Sequence, residues 1–431
     1  MVAKKLASPV VEDAVMTVQA TSSAPAGAQR KRALAGIRVL AVEGFIAGPY
    51  ASMWLADMGA EVIKIEEPKA GDAARSLPPI KDSGSGEPRS LTLFRANRNK
   101  KSVTLDLKHP EGVAIFEKLV AQSDVVLENL RSDAFDKLGL TYERLAAINP
   151  RIIYTSISGF GHQDLMPGPY TDRPAFDVVA QAMAGLMGRP EGAEEGPVYV
   201  GFPLSDLYAS TVAVCGTLQA LFQRTVTGEG QRVDIAMYDS SLVLNELALV
   251  MENATGVAAK PGLHALTAPF GSFKGRDGCI SIAILGERVW HKFCTAIDRM
   301  DLASDPELQN GIDRHRHSAK LREIIETWLQ VRSSDEAVKR FLEFGVPAAP
   351  VQGVREITAC PQVKARDMIL TIQDSAWGKV KVVGQPIKTS GSPPAEARAP
   401  PALGEHGRDL LKALAQVDDF DFDRLRSNGV V

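Results

Sequence analysis

The sequence predicts an α/β protein with a doubly wound, Rossmann-like large domain and a smaller α+β domain. Short apolar strands alternate with helical segments between Ile37 and Ser156, which is typical of an open parallel sheet. After Asp239 this alternation stops, and the 431 residues exceed the length of one ordinary domain. We therefore expect a large domain at 32–240, a small domain at 250–345, and a return segment at 346–431 that completes the large domain.

The first strand of the predicted sheet is the apolar run Ile37–Val42. Pro49–Met58 predicts the following helix, because proline is favoured in a first helical turn. Glu61–Glu66 predicts the second strand, and a right-handed crossover should make the two strands parallel. The alternation continues through a strand at Ser102–Leu107, a helix at Pro110–Gln122, a strand at Asp124–Glu128, a helix at Tyr142–Ile148 and a strand at Arg151–Ser156.

The remaining segments divide the chain between its two domains. Leu207–Arg224 is an almost unbroken helical run, and Ser240–Ala254 predicts one long helix that leaves the large domain. Val346–Val351 indicates a return into the large domain, and a last helix should begin near Leu403. Between them, the small domain should hold a strand at Cys279–Ile284 and helices at Glu287–Ile297, His317–Val331 and Ser334–Phe344.

Composition and charge exclude several classes of protein. A net charge of −3 gives no electrostatic basis for binding nucleic acid or membranes, and no apolar stretch is long enough to span a membrane. The four cysteines form no CxxC pair, and no two histidines have the spacing of a metal site. We therefore expect a cytoplasmic enzyme without a metal. Residues 1–31 are expected to form a flexible extension.

Asp206 is the strongest candidate for chemistry in the chain. Its neighbours are apolar or small, and it stands at the start of the helical run Leu207–Arg224. A carboxylate in such a setting can act as a nucleophile, and the N–H groups of a first helical turn can stabilise an oxyanion. A second acid, Asp177, also has apolar neighbours and is expected to be an N-terminal helix acid.

Candidate binding residues follow several predicted strands, where α/β folds bind ligands. The turn Gly44–Gly48 can bring a ligand close to the main chain, but a tight turn without a ligand explains its glycines equally well. Asn129 can both donate to and accept from a ligand amide, or serve ordinary turn chemistry. Several cations suit a polyphosphate, unless they form a solvated basic turn: Lys69, Arg75, Arg95, Arg98, Lys100 and Lys101.

Seven further motifs stand in order along the chain: Ala47–Ala51 with Leu55–Glu66, Asn99–Lys108, Glu128–Leu130, Leu138–Leu140, Ile157–Gly161, Thr227–Gln231 and Leu403–His406. Together with Asp206 they resemble the class III CoA-transferases, the family that includes formyl-CoA:oxalate and carnitine CoA-transferases. The resemblance runs from about Leu34 to the C-terminus.

The resemblance implies that Asp206 attacks an acyl-CoA thioester, giving a mixed anhydride and then an aspartyl-CoA thioester. It implies coenzyme A as a substrate, no metal or redox cofactor, and an interlocked homodimer or a heteromer with a paralogous subunit. It also implies that CoA lies along Phe45, Ile46, Ala47, Arg75, Leu105, Asn129, Leu130 and Lys137. The residues themselves add Lys100 to this set, as a cation for the CoA phosphates.

Departures from the formyl-CoA enzyme bear on the substrate. Ile46 stands where that enzyme has a glutamine, Glu67 where it has an arginine, and its glycine-run loop is absent at 263–270. We therefore expect an acceptor larger or more apolar than oxalate, with succinyl-CoA as the donor.

Three alternative functions remain: an α-methylacyl-CoA racemase, a non-catalytic CoA-binding subunit, and a dinucleotide oxidoreductase. A racemase would require a histidine near 176, which is Phe176, and an oxidoreductase a GxGxxG turn, which is absent.

Overall fold

The structure is a computed structural model that describes residues 31–82, 88–188, 196–256, 264 and 266–431. The expected flexible extension therefore lies outside the described residues, apart from Lys31. Within the described ranges, no helix is both long enough and apolar enough to cross a membrane.

A six-stranded sheet, parallel throughout, forms the centre of the large domain. Its strand order is β3-β2-β1-β4-β5-β6, which is the order of a doubly wound fold, so the predicted fold class is confirmed. The last of these strands, an edge strand, was not predicted from the sequence. In chain order the strands are β1 (Arg38–Val42), β2 (Glu61–Glu66), β3 (Lys101–Thr104), β4 (Val125–Glu128), β5 (Ile153–Ser158) and β6 (Arg232–Ala236).

Helices cover both faces of this sheet and bury its apolar side chains. One face packs against the helices Ala47–Asp57 and Leu204–Thr227, around a core that includes Val39, Val125 and Ala213. The other face carries the helices Pro110–Ala121, Tyr142–Ile148, Gly407–Ala415 and Asp419–Ser427. Shorter helices connect these elements at Ala73–Ser76 (3-10), Leu91–Phe94, Ala134–Lys137 and Asp177–Met183.

The long helix predicted at Ser240–Ala254 is two helices in the structure, Met237–Leu244 and Glu246–Thr255. The break falls at Asn245, whose side-chain amide donates a hydrogen bond of 3.0 Å to the carbonyl oxygen of Ala184. The apolar pattern alone would continue the helix, but asparagine is a weaker helix former than the apolar residues around it.

The small domain has its own core between a three-stranded antiparallel sheet and a set of helices. Its strands are Phe270–Lys274, Cys279–Ala283 and Ala348–Pro350. The predicted boundary at 346 is therefore too early, because Ala348–Pro350 pairs with Cys279–Ala283 and belongs to the small sheet. The helices are Glu287–Ala296, Met300–Ala303, Pro306–Leu308 (3-10), Gly311–Arg316, Ser318–Gln330 and Ser334–Glu343.

The chain after the small domain returns to the large one. Short helices at Val354–Ala359 and Pro361–Ala365 lead to a hairpin of Ile369–Asp374 and Gly378–Val383, which was not predicted. Arg89 joins this hairpin to the two-stranded ribbon Ile80–Asp82 and Pro88–Ser90 through an ion pair of 2.9 Å with Asp374. The two C-terminal helices then pack on the large-domain core.

Candidate active site

A cavity of about 360 Å³ opens where the loops that follow β1 and β4 separate. Chain connections leave these two neighbouring strands in opposite directions, and ligands of doubly wound folds bind in the crevice that results. Phe45, Ile46 and Ala47 line it from the first loop, and Asn129 and Leu130 from the second. Asp206 completes the wall, so the structure brings together six of the residues predicted for the site.

Asp206 lies in the first turn of the helix Leu204–Thr227 and is partly buried. Burial raises the pKa of its carboxyl group, the nearby charge of Asp177 raises it further, and Arg95 lowers it in part. The resulting pKa is about 7. A group with this pKa exchanges between its neutral and ionised forms near neutral pH, which is typical of functional carboxyls.

Asp177 fixes the start of the Asp206 helix. Its Oδ1 accepts hydrogen bonds from the main-chain N–H groups of Ser205, at 2.7 Å, and Asp206, at 3.2 Å. Its Oδ2 accepts from the side chains of Gln181, at 2.7 Å, and Tyr199, at 3.3 Å. The sequence predicted Asp177 as an acid in the first turn of its own helix, where it stands, but not its bonds to a second helix.

These bonds argue against the prediction that N–H groups in the first turn of the Asp206 helix stabilise an oxyanion. The N–H groups of Ser205 and Asp206 already bond to Asp177, and that of Leu207 donates to the carbonyl of Pro203 at 3.0 Å. The first turn of the Asp206 helix therefore has no free donor at these positions. The helix Ala47–Asp57 also begins at the cavity, and the N–H groups of Ala47 and Gly48 lack an intrahelical acceptor because they belong to its first turn.

The loop between β1 and the helix Ala47–Asp57 contains a residue in the left-handed conformation. Phe45 has a φ of 62°, and its N–H donates to Asp72 Oδ1 at 3.1 Å. Asn129 accepts from the N–H of Gly44 at 2.9 Å and donates to its carbonyl at 3.0 Å. The side-chain amide of Asn129 thus bonds to the main chain of this loop, hereafter the clamped loop, rather than to a ligand amide. A left-handed non-glycine residue beside a cavity is a feature often found at functional sites.

Lys100 does not face the cavity, which argues against its predicted contact with a phosphate. Its side chain is fully buried, and its ammonium group donates to Glu43 at 2.6 Å, the Pro49 carbonyl at 2.9 Å and Asn97 at 2.9 Å. An ammonium group has three donors, so none remains for a ligand. Burial lowers the pKa of Lys100 to about 8, although Glu43 opposes this effect.

Arg75 is likewise engaged inside the protein. Its guanidinium group forms a bidentate pair with Glu66, with N–O distances of 2.7 and 2.6 Å, and it donates to the Pro401 carbonyl at 3.1 Å. The Arg75 partner explains why the pKa of Glu66 is lowered in spite of burial. Sequence cannot distinguish such a cation from a ligand-binding one, because nothing in the pattern pairs Arg75 with Glu66, the last residue of β2.

The other predicted binding residues lie outside the cavity wall. Leu105 is buried in the core of the large domain. Lys137 is exposed and forms an ion pair with Asp133 one helical turn earlier. Two cations at the cavity were not predicted: Arg131, which follows Leu130, and Arg173, whose guanidinium stacks 3.9 Å from the ring centroid of Tyr170. Among the described residues, no group of three His, Cys, Asp or Glu side chains could hold a metal ion.

The sequence matches the model of CoA-transferase family III over residues 34–407. The chain belongs to this family. A relative from Agrobacterium fabrum, named succinate–glutarate CoA-transferase, is 33% identical over 396 residues, which cover 90% of this chain and 97% of the relative. A succinyl-CoA:mesaconate CoA-transferase from Haloarcula hispanica is 36% identical over 382 residues, covering 88% of this chain and 96% of the relative.

Solved structures of similar proteins have the same fold. A CAIB/BAIF family protein from Brucella suis superposes with a TM-score of 0.76 at 32% identity, and the match covers 90% of this chain and all of that one. The predicted family, fold and enzyme class are therefore confirmed. This CoA-transferase uses CoA thioesters as substrates.

The position at which a racemase would need a histidine is occupied by an aromatic side chain in this CoA-transferase. Phe176 is 63% exposed, and its ring packs edge-on against that of Phe45 with 5.7 Å between centroids. Both rings line the cavity next to Asp206. A phenyl ring can shield the acyl group from water, but it cannot accept a proton, so the second base of a racemase is missing at this position.

Proposed function

We propose that this CoA-transferase moves CoA from succinyl-CoA to a free carboxylic acid, with Asp206 as the nucleophile. One observation carries the proposal: the partly buried Asp206 carboxyl group lines the cavity at the switch point of the sheet. The names of relatives that use succinyl-CoA or succinate support the donor.

In the first half-reaction, an Asp206 carboxylate oxygen attacks the thioester carbon, and the C–S bond breaks to leave a mixed anhydride and CoA thiolate. The thiolate then attacks the aspartyl carbonyl carbon, which releases the donor acid and leaves an aspartyl-CoA thioester. In the second half-reaction, the acceptor carboxylate attacks this thioester, and the expelled thiolate attacks the acceptor acyl carbon. New acyl-CoA forms and Asp206 is regenerated, with no net change in protons.

Each tetrahedral intermediate carries a negative oxygen that needs hydrogen-bond donors. The N–H groups of Ala47 and Gly48 suit this role, because they belong to the first turn of a helix that begins at the cavity, and the positive end of the helix dipole favours an anion. The hydroxyl of Ser210 donates to the carbonyl of Ala47 at 2.7 Å, which ties this helix start to the Asp206 helix.

The CoA moiety is proposed to lie along Phe45–Ala47 and Leu130, with its main contacts to the clamped loop. For its phosphates, the exposed cations Arg131 and Lys137 replace Lys100 and Arg75, whose charges are neutralised inside the protein. The pair between Lys137 and Asp133 is solvent-exposed, so a phosphate can displace it at small cost.

We further propose an interlocked homodimer. Large apolar side chains are exposed on and after the Asp206 helix, among them Phe222, Val226, Val243, Leu249 and Val250. A patch of this kind commonly marks an interface. A heteromer is the alternative, since a 34% identical relative from Chloroflexus aurantiacus is named as an alpha subunit. A monomer in sedimentation at micromolar concentration would contradict both assemblies.

The catalytic role is tested by incubating the protein with succinyl-CoA, adding hydroxylamine, and locating the modified residue by mass spectrometry. We expect a hydroxamate on the peptide that contains Asp206, and its absence in Asp206→Asn together with loss of CoA transfer. Asp335→Asn is the matched control, because Asp335 also lies in a first helical turn but in the small domain. Normal turnover by Asp206→Asn would overturn the proposal.

A further inference from the structure

A second cleft of about 360 Å³ shares the wall residue Ile46 with the first cavity. Ile46 lines both cavities, and of two consecutive residues Asp206 lines the first and Leu207 the second. The two cavities therefore meet at Ile46 and at the start of the helix that carries Asp206. Its walls are mainly apolar and include Tyr50, Leu91, Phe94, Leu207, Val380 and Val382.

Cations line this apolar cleft, and they differ in what they contact. Arg98 is buried, and its guanidinium group pairs with Asp57 at 2.6 Å and donates to the Val383 carbonyl at 2.8 Å. Arg95, three residues earlier, is exposed, and its side chain has no hydrogen bond or ion pair with any residue that the structure describes. Its charge nevertheless acts on the pKa of both Asp206 and Tyr199, which places Arg95 toward the active site.

We propose that Arg95 binds the second carboxylate of a dicarboxylic acyl group whose first carboxyl group reacts at Asp206. This inference rests on the proposed function and narrows its substrate class to short dicarboxylic acids. A guanidinium group can hold a carboxylate through two parallel hydrogen bonds. The methylene groups between the two carboxyls would pack on Ile46, Tyr50 and Leu207.

The same anchor serves both half-reactions. Donor and acceptor acyl groups occupy Asp206 in turn, so a cation placed beside it recognises a distal carboxylate on either of them. Lys381 also lines the cleft, from the hairpin strand Gly378–Val383. Its ammonium group is a point charge without the planar fork of Arg95, and only the charge of Arg95 is among those that act on the pKa of Asp206, so Arg95 is the preferred anchor.

The test compares two acceptors of equal carbon number, glutarate and pentanoate, with butyryl-CoA as a donor that lacks a second carboxylate. In Arg95→Leu we expect the kcat/KM for glutarate to fall by about 10- to 100-fold, as for the loss of a charged hydrogen bond, and that for pentanoate to change by less than about threefold. Arg95→Lys should recover part of the loss, and Lys381→Met should leave the ratio of the two acids unchanged.

The outcomes separate this inference from the proposed function. An equal loss for both acids in Arg95→Leu would mean that Arg95 only tunes Asp206, and would overturn the inference. A wild-type preference for pentanoate over glutarate would overturn it as well. If the wild type transferred CoA to no acid and formed no acyl-Asp206, the proposed function itself would fall. Thermal unfolding of Arg95→Leu should match that of the wild type, because the side chain is exposed.

Discussion

The carboxylate of Asp177 accepts a hydrogen bond of 3.2 Å from the main-chain N–H of Asp206, so two acids share the start of one helix. The bond fixes the main chain of the nucleophile, while burial and, after it, the charge of Asp177 raise the pKa of the Asp206 side chain. Asp177 thereby positions Asp206 and also weakens its tendency to ionise. A more basic carboxylate is a stronger nucleophile once ionised, which suits attack on a thioester.

This relationship predicts the pH dependence of acylation. Asp206 must be ionised to attack, and its pKa is about 7, so kcat/KM should rise with pH through neutrality and level off above it. Asp177→Asn removes the like charge but keeps an oxygen that can accept from Ser205. The rising limb should therefore move to lower pH in this variant. The measurement is kcat/KM for succinyl-CoA between pH 5 and 9, with Asp335→Asn as the control, and an unmoved limb would contradict the coupling.

A second prediction concerns stability. The folded-state pKa of Asp206 is about 7 against a usual value of 3.8, so the folded protein binds this proton more tightly than the unfolded chain. Stability should fall as pH rises between these values, and the cost of an ionised Asp206 should be complete above pH 7. Asp206→Asn removes that cost, and should stabilise the protein at pH 8 by on the order of 1–3 kcal/mol after allowance for solvent screening.

At pH 4 the same variant and the wild type should differ little in stability, because the wild-type carboxyl group is then neutral in the folded state and only partly ionised in the unfolded chain, so little of the cost has developed. Urea unfolding at the two pH values measures the difference, with Asp335→Asn as the reference for a surface acid. Equal effects of Asp206→Asn at pH 4 and pH 8 would show that the site does not penalise the charge.

A third prediction concerns the buried ion pairs beneath the clamped loop. Lys100→Met leaves the carboxylate of Glu43 without its nearest cation, with Lys64 remaining at 3.6 Å, and breaking a buried ion pair typically costs about 3–5 kcal/mol. We expect a loss of stability of that order in urea unfolding. Lys137→Met, at an exposed pair, should change it by about 0.5 kcal/mol or less.

The stability and KM of Lys100→Met, compared with those of Lys137→Met, distinguish a structural role for Lys100 from a ligand-binding one. If Lys100→Met folded with wild-type stability but a raised KM for succinyl-CoA, the lysine would contact the ligand as the sequence first indicated, and the arrangement of its three acceptors would be wrong. A loss of stability with little change in KM at low temperature would support the structural role.

The sequence predicted the order of strands and helices in the large domain well, because the apolar periods of a buried parallel sheet are strong local signals. Glu61–Glu66 and Tyr142–Ile148 match the structure at both ends. One edge strand of the sheet was missed. Arg232–Ala236 pairs only with β5 and keeps polar side chains, so its pattern lacks the continuous apolar run of a central strand.

Site residues could be predicted where they stand after a strand or at the start of a helix. They could not be predicted where the role of a side chain depends on which residues it contacts. Asp206 and the turn at Phe45 could be found from position alone. The difference between Arg95, which is free of partners in the described structure, and Arg98, which is bound to Asp57, could not, because both stand in one basic turn and only the fold decides which carboxylates they meet. The bonds of Asp177 to Ser205 likewise join residues 28 positions apart.

The last prediction concerns the packing of Gly48 against Asn129 at the helix start proposed to hold the oxyanion. A methyl group on Gly48 would lie 2.6 Å from Asn129 Oδ1 and 2.9 Å from Glu43 Cβ, which is closer than atoms can pack. Gly48→Ala must therefore displace Asn129, and with it the clamp on Gly44. Because N–H donors act only when they are aimed at the oxyanion, we expect kcat to fall by about 100-fold or more.

Gly391→Ala is the matched control, because a methyl group there meets nothing within 4 Å, and its activity should remain at the wild-type level. Asn129→Ala separates two causes of the loss in Gly48→Ala. Asn129→Ala also removes the bonds to Gly44, but it leaves room for a methyl group at Gly48. If displacement of Asn129 is the whole effect, kcat of the double variant Gly48→Ala/Asn129→Ala should be no lower than that of Asn129→Ala alone. An additive loss in the double variant would mean that the added methyl group blocks the oxyanion position itself.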